Sequence, residues 1–262
     1  MTTVEGASID FARRLFTRGT DIFGAEEIKK AFDLTVTDIP PIPFTEEELA
    51  VARKRDEMLI FQSTGITMKK IHELTGNKTS DGKPLCYDIG WYENEPFYTD
   101  DPLRPGWRLI SREVIPDSLN ENYLGQTEAL SNHLTRSVFA EMEMPKAVAE
   151  AIKEFCDQKE ELEKLLSKDW KETAKRSVSL KINQLFRQSP AEALWSLALY
   201  ERANRERLLQ GRYNWTNQLS SRGYVVYVGY FGEDGVDVSN ADPRDSRGYL
   251  GFCFSRSGEL VL

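Results

Sequence analysis

Apolar residues recur at helical spacing over much of the chain, and short alternating strands follow near its C-terminal end. The stretch IDFARRLFTRGTDIFGAEEIKKAFDLTV predicts two short helices separated at Gly24, the second with Ile28, Ala31 and Phe32 on its apolar face. The prolines of DIPPIPF cannot continue a helix, because they lack an N–H donor and fix φ. We therefore expect a helical N-terminal segment over residues 1–38.

The middle segment, residues 39–144, carries mixed helix and strand patterns. Thr45 and Glu48 form a capping box that predicts a helix through TEEELAVARKRDEMLIFQS. A second helix, TMKKIHELTG, ends at Gly76. The stretches LCYDI, EPFY and GWRLISREV predict short strands, and NENYLGQTEALSNHLTRSVF returns to helix.

The last segment, residues 145–262, begins with helices over MPKAVAEAIKEFCDQKEELEKLLSKDW and LKINQLF. The next helix is the best specified in the chain. Ser189 is its expected N-cap, Pro190 suits its first position, Glu192 completes a capping box and Gly211 is its expected end.

The tail after this helix changes to a period of two. YVVYVGYF and GVDVSN alternate and are joined at Asp234-Gly235, which predicts a hairpin, and YLGFCFSRS predicts the next strand. One face carries small and apolar groups, and the other carries Tyr224, Asp237 and Ser239. The pattern as a whole predicts an α+β protein with a helical N-terminal part, a mixed middle and a C-terminal module of antiparallel strands.

Composition narrows the class of protein. The 262 residues are 40% hydrophobic and 29% charged, which is enough apolar material for a sizeable core. No apolar stretch approaches the length of a membrane span, and the first residues lack a secretory pattern. Three widely separated cysteines favour reduced thiols, so we expect a cytoplasmic protein with no membrane partner. The net charge of −8 disfavours nucleic acid as a partner.

No catalytic or metal-binding constellation stands out. The two histidines, His72 and His133, lie in separate predicted helices, and no Cys or His spacing is typical of a zinc site. Gly229, Gly232 and Gly235 lie in the hairpin and do not open a helix, so they do not form a phosphate loop. We therefore predict no catalytic residue, no metal and no cofactor.

Two alternative functions stay open. One is an enzyme with its site in the aromatic and acidic middle, around Glu95, Asp100, Trp107 and Arg108. The other is a DNA-binding regulator, because GAEEIKKAFDLT and ITMKKIHELTG each resemble half of a helix-turn-helix. The clustered aromatic residues of DIGWYENEPFY are more typical of a core than of a ligand-binding stack, with alternate positions divided between the two roles.

The tail from RYNWTNQLSS to the end resembles a known bacterial pattern. The pattern reads Tyr213-Asn214-Trp215-Thr216, a Ser-rich turn, an aromatic strand, a Gly-Val hairpin, an Asn/Ser loop and a closing Gly-Phe strand with an arginine. It resembles the C-terminal half of the C-type-lectin-like fold of formylglycine-generating-enzyme-like domains and of the variable proteins of diversity-generating retroelements. The region from PFTEEELAVARKRDEML to GWRLISREVIP is similar to uncharacterised candidate-phyla bacterial proteins, which implies no activity.

The resemblance implies binding more than catalysis. The enzymatic branch of the fold uses copper and paired cysteines, whereas this tail has the single Cys253. In the retroelement branch, mutagenesis at adenines produces Asn, Tyr, Ser and Asp at the ligand-binding positions. The corresponding expected ligand-binding residues are Asn214, Asn217, Ser220, Tyr224, Tyr227, Tyr230, Asp237, Ser239, Asn240, Asp242, Asp245 and Tyr249.

Residue chemistry leads to the same expectation independently. Tyrosine offers a large, rigid and amphipathic surface, while Ser, Asn and Gly supply adaptable hydrogen bonds, as in antibody paratopes. The alternative is a solvent-facing sheet with tyrosines half packed at its edge. We expect a non-catalytic protein that binds a protein or small-molecule ligand through its C-terminal module. The finer hypothesis is that a retroelement diversifies this module.

Overall fold

The computed structural model describes residues 7–17 and 19–258. Its α-helices are α1 (Ile9–Leu15), α2 (Ala25–Phe32), α3 (Glu46–Lys54), α4 (Met68–Thr75), α5 (Pro96–Thr99), α6 (Tyr123–His133), α7 (Lys146–Leu166), α8 (Trp170–Ser179), α9 (Lys181–Phe186) and α10 (Pro190–Asn204). Its strands are β1 (Ile22–Phe23), β2 (Glu57–Gln62), β3 (Gly106–Ser111), β4 (Tyr213–Leu219), β5 (Val225–Gly232), β6 (Gly235–Ala241), β7 (Leu250–Gly251) and β8 (Ser255–Ser257). With 43% helix and 18% strand, the predicted α+β class is confirmed.

The first sheet, here called the N-terminal sheet, has the strand order β1-β2-β3-β8. Strand β1 pairs parallel to β2, and the other pairs are antiparallel. Strand β8 pairs with β3 through Arg108 opposite Ser257 and Ile110 opposite Ser255. Strand β8, from the C-terminal segment, therefore completes a sheet whose other strands come from the N-terminal and middle segments.

The second sheet, the C-terminal sheet, has the order β6-β5-β4-β7, and its hairpin of β5 and β6 is the predicted one. Gly235, at the start of β6, approaches another backbone closely. A Cβ atom there would lie 2.8 Å from the Cys86 carbonyl carbon and 2.9 Å from the Tyr87 nitrogen, so only glycine fits. This close contact holds the segment before α5 against the edge of β6.

Helix α10 joins the two sheets. Its predicted capping box is present, with the Ser189 hydroxyl accepting from the Glu192 N–H and the Glu192 carboxylate accepting from the Ser189 N–H. Trp195 reaches the N-terminal sheet, where its indole N–H donates to the Phe61 carbonyl at 3.3 Å. Val226 and Val228 of β5 belong to the same apolar core. The helix is therefore buried nearly all round, as helices between two layers are.

Several predicted boundaries are wrong. The helix that opens at Thr45 ends at Lys54, and Glu57–Gln62 form the fully buried strand β2 instead. A short apolar run such as MLIF is compatible with a buried helix or a buried strand. Here the run forms a strand because it pairs with β1 on one side and β3 on the other. The stretch EPFY, predicted as a strand, forms α5, because Pro96 occupies its first helical position.

Other differences lie in the C-terminal segment. Helix α8 was not predicted as a separate element. Helix α10 ends at Asn204, with Arg205 in the left-handed region at φ 59°, rather than at Gly211. The stretch YLGFCFSRS forms two strands, because the chain leaves the C-terminal sheet after β7 and enters the N-terminal sheet at β8.

Candidate functional site

The outer face of the C-terminal sheet is divided into a covered half and an open half. Helices α6 and α8 cover the first half, where Trp215, Val225, Ala241 and Leu250 pack against Tyr123, Ala174 and Val178. The open half carries what we call the tyrosine surface, defined by Tyr213, Tyr227, Tyr230, Asp237, Ser239, Asp245, Arg247 and Tyr249. Since one half is a packed core, the other half has a rigid support.

Tyr213 is the centre of the tyrosine surface. Its ring centroid lies 4.8 Å from that of Tyr227 in an edge-on contact and 5.3 Å from that of Tyr230 in a stacked one. The Tyr249 ring centroid lies 5.9 Å away. Edge-on and offset contacts are the favourable geometries for aromatic rings, so the four rings fix one another.

A hydrogen bond joins this ring cluster to the edge strand β6. The Tyr213 hydroxyl donates to the Asp237 carboxylate at 2.7 Å. Partial burial raises the pKa of Tyr213 well above its usual range, and the bond to Asp237 raises it further. The phenol therefore stays protonated at neutral pH and continues to donate to the carboxylate.

Tyr230 is presented by an irregularity in the sheet. The register of β5 and β6 shifts between Gly229 and Gly232, and Tyr230 has a left-handed backbone at φ 47°. Its N–H donates to the Arg212 carbonyl instead of to a strand partner. The side chain is 49% exposed, while the next residue, Phe231, is fully buried. The bulge therefore turns Tyr230 outward, as bulges near functional surfaces do.

The far side of the tyrosine surface carries an ion pair. Arg247 donates from one guanidinium nitrogen to the Tyr249 hydroxyl at 2.8 Å and from the other to the Asp245 carboxylate at 2.7 Å. Tyr249 is 39% exposed, and its contact with Arg247 limits its rotamers. The pair supplies charged donors and acceptors around an aromatic centre.

Three of the predicted ligand-binding residues are buried. Asn214 donates to the Gln188 side chain and accepts from the Cys253 N–H, each at 2.8 Å. Asn217 donates to the Arg187 carbonyl, and the Ser220 hydroxyl accepts from the Tyr224 N–H within its own turn. Their side chains are used inside the fold, so we leave them out of the candidate surface.

The remaining predicted residues lie toward helix α8. The Tyr224 ring lies 4.7 Å from that of Trp170, and Arg244 lies over the same indole. Arg244 also binds the Asp242 carboxylate. Asn240, half-buried in β6, pairs with Val226 and by strand alternation lies on the inner face of the sheet with Val238. Tyr224, Trp170, Arg244 and Asp242 therefore form a second polar and aromatic area beside α8.

Sequence reasoning missed Tyr213 and Arg247. Strand alternation gave a usable signal for Tyr213, because residues two apart on β4 share a face and Trp215 marks that face. The same alternation places Asn214 on the inner face. For Arg247 the only sequence signal was its position two residues from each of Asp245 and Tyr249, which were themselves predicted to bind the ligand.

The residues of the predicted enzyme site do not meet. The Glu95 carboxylate accepts from the N–H and hydroxyl of Ser221, and Asp100 is exposed. Trp107 is buried and donates to the Pro40 carbonyl, while Arg108, its neighbour on β3, is buried beside Glu192. In the described chain Glu95, Trp107 and Arg108 make structural contacts.

One carboxyl group near this region has a shifted pKa. Burial, with a further contribution from the Glu192 charge, raises the pKa of Asp101 to about 6. Two grooves of about 590 and 680 Å³ flank Pro40 and Pro41 beside Trp107. Among the described residues, neither groove is lined by Asp101 or by the tyrosine surface.

Two of the three thiols, Cys86 and Cys253, and the imidazole of His72 are buried, whereas Cys156 is exposed. Burial raises the pKa of the Cys86 thiol to about 12 and also raises that of Cys253, so neither is a thiolate at neutral pH. Burial lowers the pKa of His133 to about 4, helped by the like charge of Arg55. His72 is buried with Nδ1 2.8 Å from the Tyr98 hydroxyl. Among the described residues, no group of three or more His, Cys, Asp or Glu side chains is placed to hold a metal ion.

The two helices behind the DNA-binding hypothesis both pack against α10. Phe32 of α2 stacks on Trp195 at 4.5 Å, and α4 buries Met68 and Ile71. The polar face of α2 mixes acidic and basic residues, which gives it no preference for phosphate. None of the helices in the described chain combines the length and apolarity that crossing a membrane requires.

No protein-family model, curated protein or solved structure matches this chain.

Proposed function

We propose that the protein is a non-catalytic binding protein and that the tyrosine surface contacts its ligand. The observation that supports this most is the exposure of Tyr230 and Tyr249 beside half-buried Tyr213 and Tyr227, on a sheet whose other half is packed. Exposed tyrosines with few rotamers lose little entropy on binding and bury much area. This combination is typical of binding hot spots.

The shape of the surface favours a macromolecular ligand. Small molecules bind in concave sites of several hundred cubic ångströms, and the two large grooves lie at the N-terminal sheet instead. The tyrosine surface spreads over strands β4, β5 and β6 and the loop before β7. A partner protein is the class of ligand that covers such an extended face.

We also propose that the C-terminal segment is a C-type-lectin-like module. Support comes from the course of the chain, since the tail forms an antiparallel hairpin and then returns to pair with β3 of the middle segment. Retroelement diversification is the finer hypothesis. It predicts a near-duplicate of the coding tail beside a reverse-transcriptase gene, differing at adenines.

Burial of individual residues indicates which codons of the tail should differ between the two copies. Variation at Asn214 or Asn217 would break buried hydrogen bonds to Gln188, Cys253 and Arg187. We therefore expect differences at the codons for Tyr227, Tyr230, Asp237, Ser239, Asp245 and Tyr249, and identity at those for Asn214, Asn217 and Ser220. Differences concentrated at the buried codons would contradict diversification for binding.

Loss of binding on truncation of the two exposed rings tests the function. The wild type, the double variant Tyr230→Ala/Tyr249→Ala and the control Ile9→Ala are immobilised and exposed to lysate of the encoding cells. Ile9 is a suitable control because it is an exposed apolar residue on α1. Any lysate protein retained by the wild type and the control but not by the double variant is purified. Its Kd is then measured for all three immobilised proteins.

We expect the double variant to bind at least about tenfold more weakly and the control to bind as the wild type does, because each aromatic anchor contributes about 1 kcal/mol or more. The two rings lie outside the core, so the melting temperature should change little. Partners that bind the double variant and the wild type equally would contradict the proposal.

A further inference from the structure

Two further exposed aromatic residues border the tyrosine surface. In the described chain the exposed large hydrophobic residues are Ile9, Tyr87, Trp91, Tyr230 and Tyr249. Tyr87 is 62% exposed and Trp91 is 38% exposed, and both lie in the segment between α4 and α5. Their neighbours Tyr92, Phe97 and Tyr98 are buried, as expected of a core cluster. The Tyr87 and Trp91 rings are therefore left partly open to solvent beside a buried aromatic cluster.

This segment follows the edge of β6 and is fixed at three points. At its start, the Tyr87 N–H donates to the Val236 carbonyl at 2.9 Å. In its middle, the Trp91 indole N–H donates to the Val238 carbonyl at 2.7 Å. At its end, Glu95 accepts from the Ser221 N–H at 2.7 Å. We call residues 87–95 the edge loop.

The edge loop continues the tyrosine surface beyond β6. Asp237 and Ser239, on either side of Val238, face the rings of Tyr213 and Tyr227. Because the Trp91 indole binds the Val238 carbonyl, Trp91 lies beside these two residues. The Trp91 ring rests on Tyr92 at 5.3 Å and on Phe97 at 5.9 Å, so it is a rigid anchor.

The edge loop also determines how a partner is recognised. It occupies the backbone carbonyls of Val236 and Val238, so an incoming strand cannot pair with β6 at these positions. Recognition at this side must therefore use side chains.

The charges around the edge loop are mainly negative. Asp88 and Glu93 of the loop are exposed, as are Glu233 and Asp234 in the adjoining β5–β6 turn. Lys83 lies 3.1 Å from Glu233 and offsets one of these charges. Arg247 lies on the other side of the tyrosine surface, where it is paired with Asp245.

Aromatic faces next to carboxylates are complementary to cations. A guanidinium or ammonium group gains from the ring face and from the carboxylate together. Nucleic acid, which is negative, would be repelled by the same charges.

We propose that the edge loop and the β5–β6 turn form an acidic aromatic end of the binding surface, which holds a lysine- or arginine-bearing segment of a protein partner. This inference depends on the proposed function of the tyrosine surface, and it adds Tyr87 and Trp91 as binding residues. The arginine side chain is the better fit, because its planar guanidinium stacks on an indole.

A peptide titration observed by NMR tests the inference without a known partner. The probes are acetyl-Gly-Arg-Gly-Arg-Gly-amide and its glutamate analogue. The reporter is the Trp91 indole N–H signal, assigned with the variant Trp91→Phe. We expect the arginine peptide to shift this signal and the loop amides at millimolar concentration, and the glutamate peptide to leave them unchanged. Equal shifts from both peptides, or none, would overturn the inference.

A double variant that removes two carboxylate charges from the edge loop tests whether these charges contribute to binding of the arginine peptide. Asp88→Asn keeps the oxygen that accepts from the Gly90 N–H at 2.9 Å, so Asp88→Asn/Glu93→Gln should retain the loop conformation. The control is Glu141→Gln/Glu143→Gln, which neutralises two exposed carboxylates elsewhere. We expect the first pair to raise the Kd of the arginine peptide about threefold or more and the control to leave it unchanged. An equal effect of both pairs would mean that only net charge matters and would overturn the inference.

The same variants separate this inference from the proposed function. A partner lost with Tyr230→Ala/Tyr249→Ala but bound normally by Asp88→Asn/Glu93→Gln would support the tyrosine surface and refute the acidic end. A partner that is weakened by both double variants supports both.

Discussion

At the scale of single residues, Tyr230 combines an unfavourable backbone with an exposed ring. A left-handed conformation costs a non-glycine residue about 1 kcal/mol, and asparagine tolerates it better than most side chains. Tyr230 adopts φ 47°, and its ring stacks on Tyr213. A residue kept in such a conformation while its side chain faces solvent is consistent with a role in binding.

This conformation predicts an order of stabilities. Tyr230→Ala and Tyr230→Asn both lose the ring contact with Tyr213, but asparagine fits the left-handed backbone better. We expect Tyr230→Asn to be more stable than Tyr230→Ala by about 0.5–1 kcal/mol in urea unfolding. An alanine variant as stable as the asparagine variant would show that the backbone is not held in this region.

Tyr213 predicts a measurable effect at high pH. Tyr213→Phe removes the hydrogen bond to Asp237 and should lower the free energy of unfolding by about 1 kcal/mol at neutral pH. The folded-state pKa of Tyr213 is raised by burial and by Asp237. Its stabilising contribution is therefore complete below the unfolded pKa of about 10 and is lost as the pH rises above it.

The phenylalanine variant should accordingly lose less stability than the wild type above pH 10. Chemical unfolding followed across that range measures the difference. Parallel pH profiles for the two proteins would contradict the role assigned to the Tyr213–Asp237 bond.

At the scale of elements, helix α10 is fixed to the N-terminal sheet by one buried carboxylate. Glu192 lies 2.8 Å from an Arg104 guanidinium nitrogen and 3.8 Å from one of Arg108, and it also caps its own helix. Burial alone would raise the pKa of Glu192, but Arg104 and Arg108 outweigh it and lower the pKa to about 2. The charge is therefore retained inside the protein.

Neutralising this carboxylate should be costly. We expect Glu192→Gln to reduce the free energy of unfolding by about 3 kcal/mol, because Arg108 is left buried without its partner. Glu128→Gln, which breaks the exposed pair with Lys159, is the matched control and should cost less than about 1 kcal/mol. Equal losses in the two variants would refute the role of Glu192.

The wild type and Glu192→Gln can also be compared across pH. The folded pKa of Glu192 lies below its ordinary value of 4.5, so its contribution is present above that pH and is lost as the pH falls toward 2. Glu192→Gln should lack this component of acid destabilisation. If urea unfolding showed the same loss of stability between pH 4.5 and pH 2 in the variant and the wild type, the role assigned to the Glu192 charge would be contradicted.

Elements were predictable from sequence where local signals were strong. The α10 capping box, the Gly76 helix end and the β5–β6 hairpin are each specified by residues close together in the chain, and each is confirmed. Strand β2 was not predictable, because its apolar run suits either a helix or a strand. Helix α5 has only four residues, too few for a periodic pattern.

At the scale of the whole molecule, one apolar core runs from Ala7 to Cys253 and includes residues of both sheets and of α10. Strand β8 adds a pairing between the C-terminal segment and β3 of the middle segment. We expect a single cooperative unfolding transition, with far-UV circular dichroism and tryptophan fluorescence changing together. Two separated transitions would show that the sheets unfold independently.

The candidate site was predictable only in part, because it depends on contacts between residues that are far apart in sequence. The composition of the tail indicated a polar and aromatic face, and Tyr227, Tyr230, Asp237, Ser239, Asp245 and Tyr249 meet there. Which half of the face is covered depends on α8, and the place of Trp91 depends on a contact with Val238, 147 residues away in sequence. Such long-range contacts leave no local pattern.

Photocrosslinking tests most directly the claim that the open face of the C-terminal sheet is where the partner binds. The crosslinking residue p-benzoyl-phenylalanine replaces Tyr249 in one protein and Ile9 in another, and both proteins are irradiated in lysate of the encoding cells. We predict a specific covalent adduct with a partner protein from position 249 and none from position 9. An adduct from position 9, with none from position 249, would contradict the account.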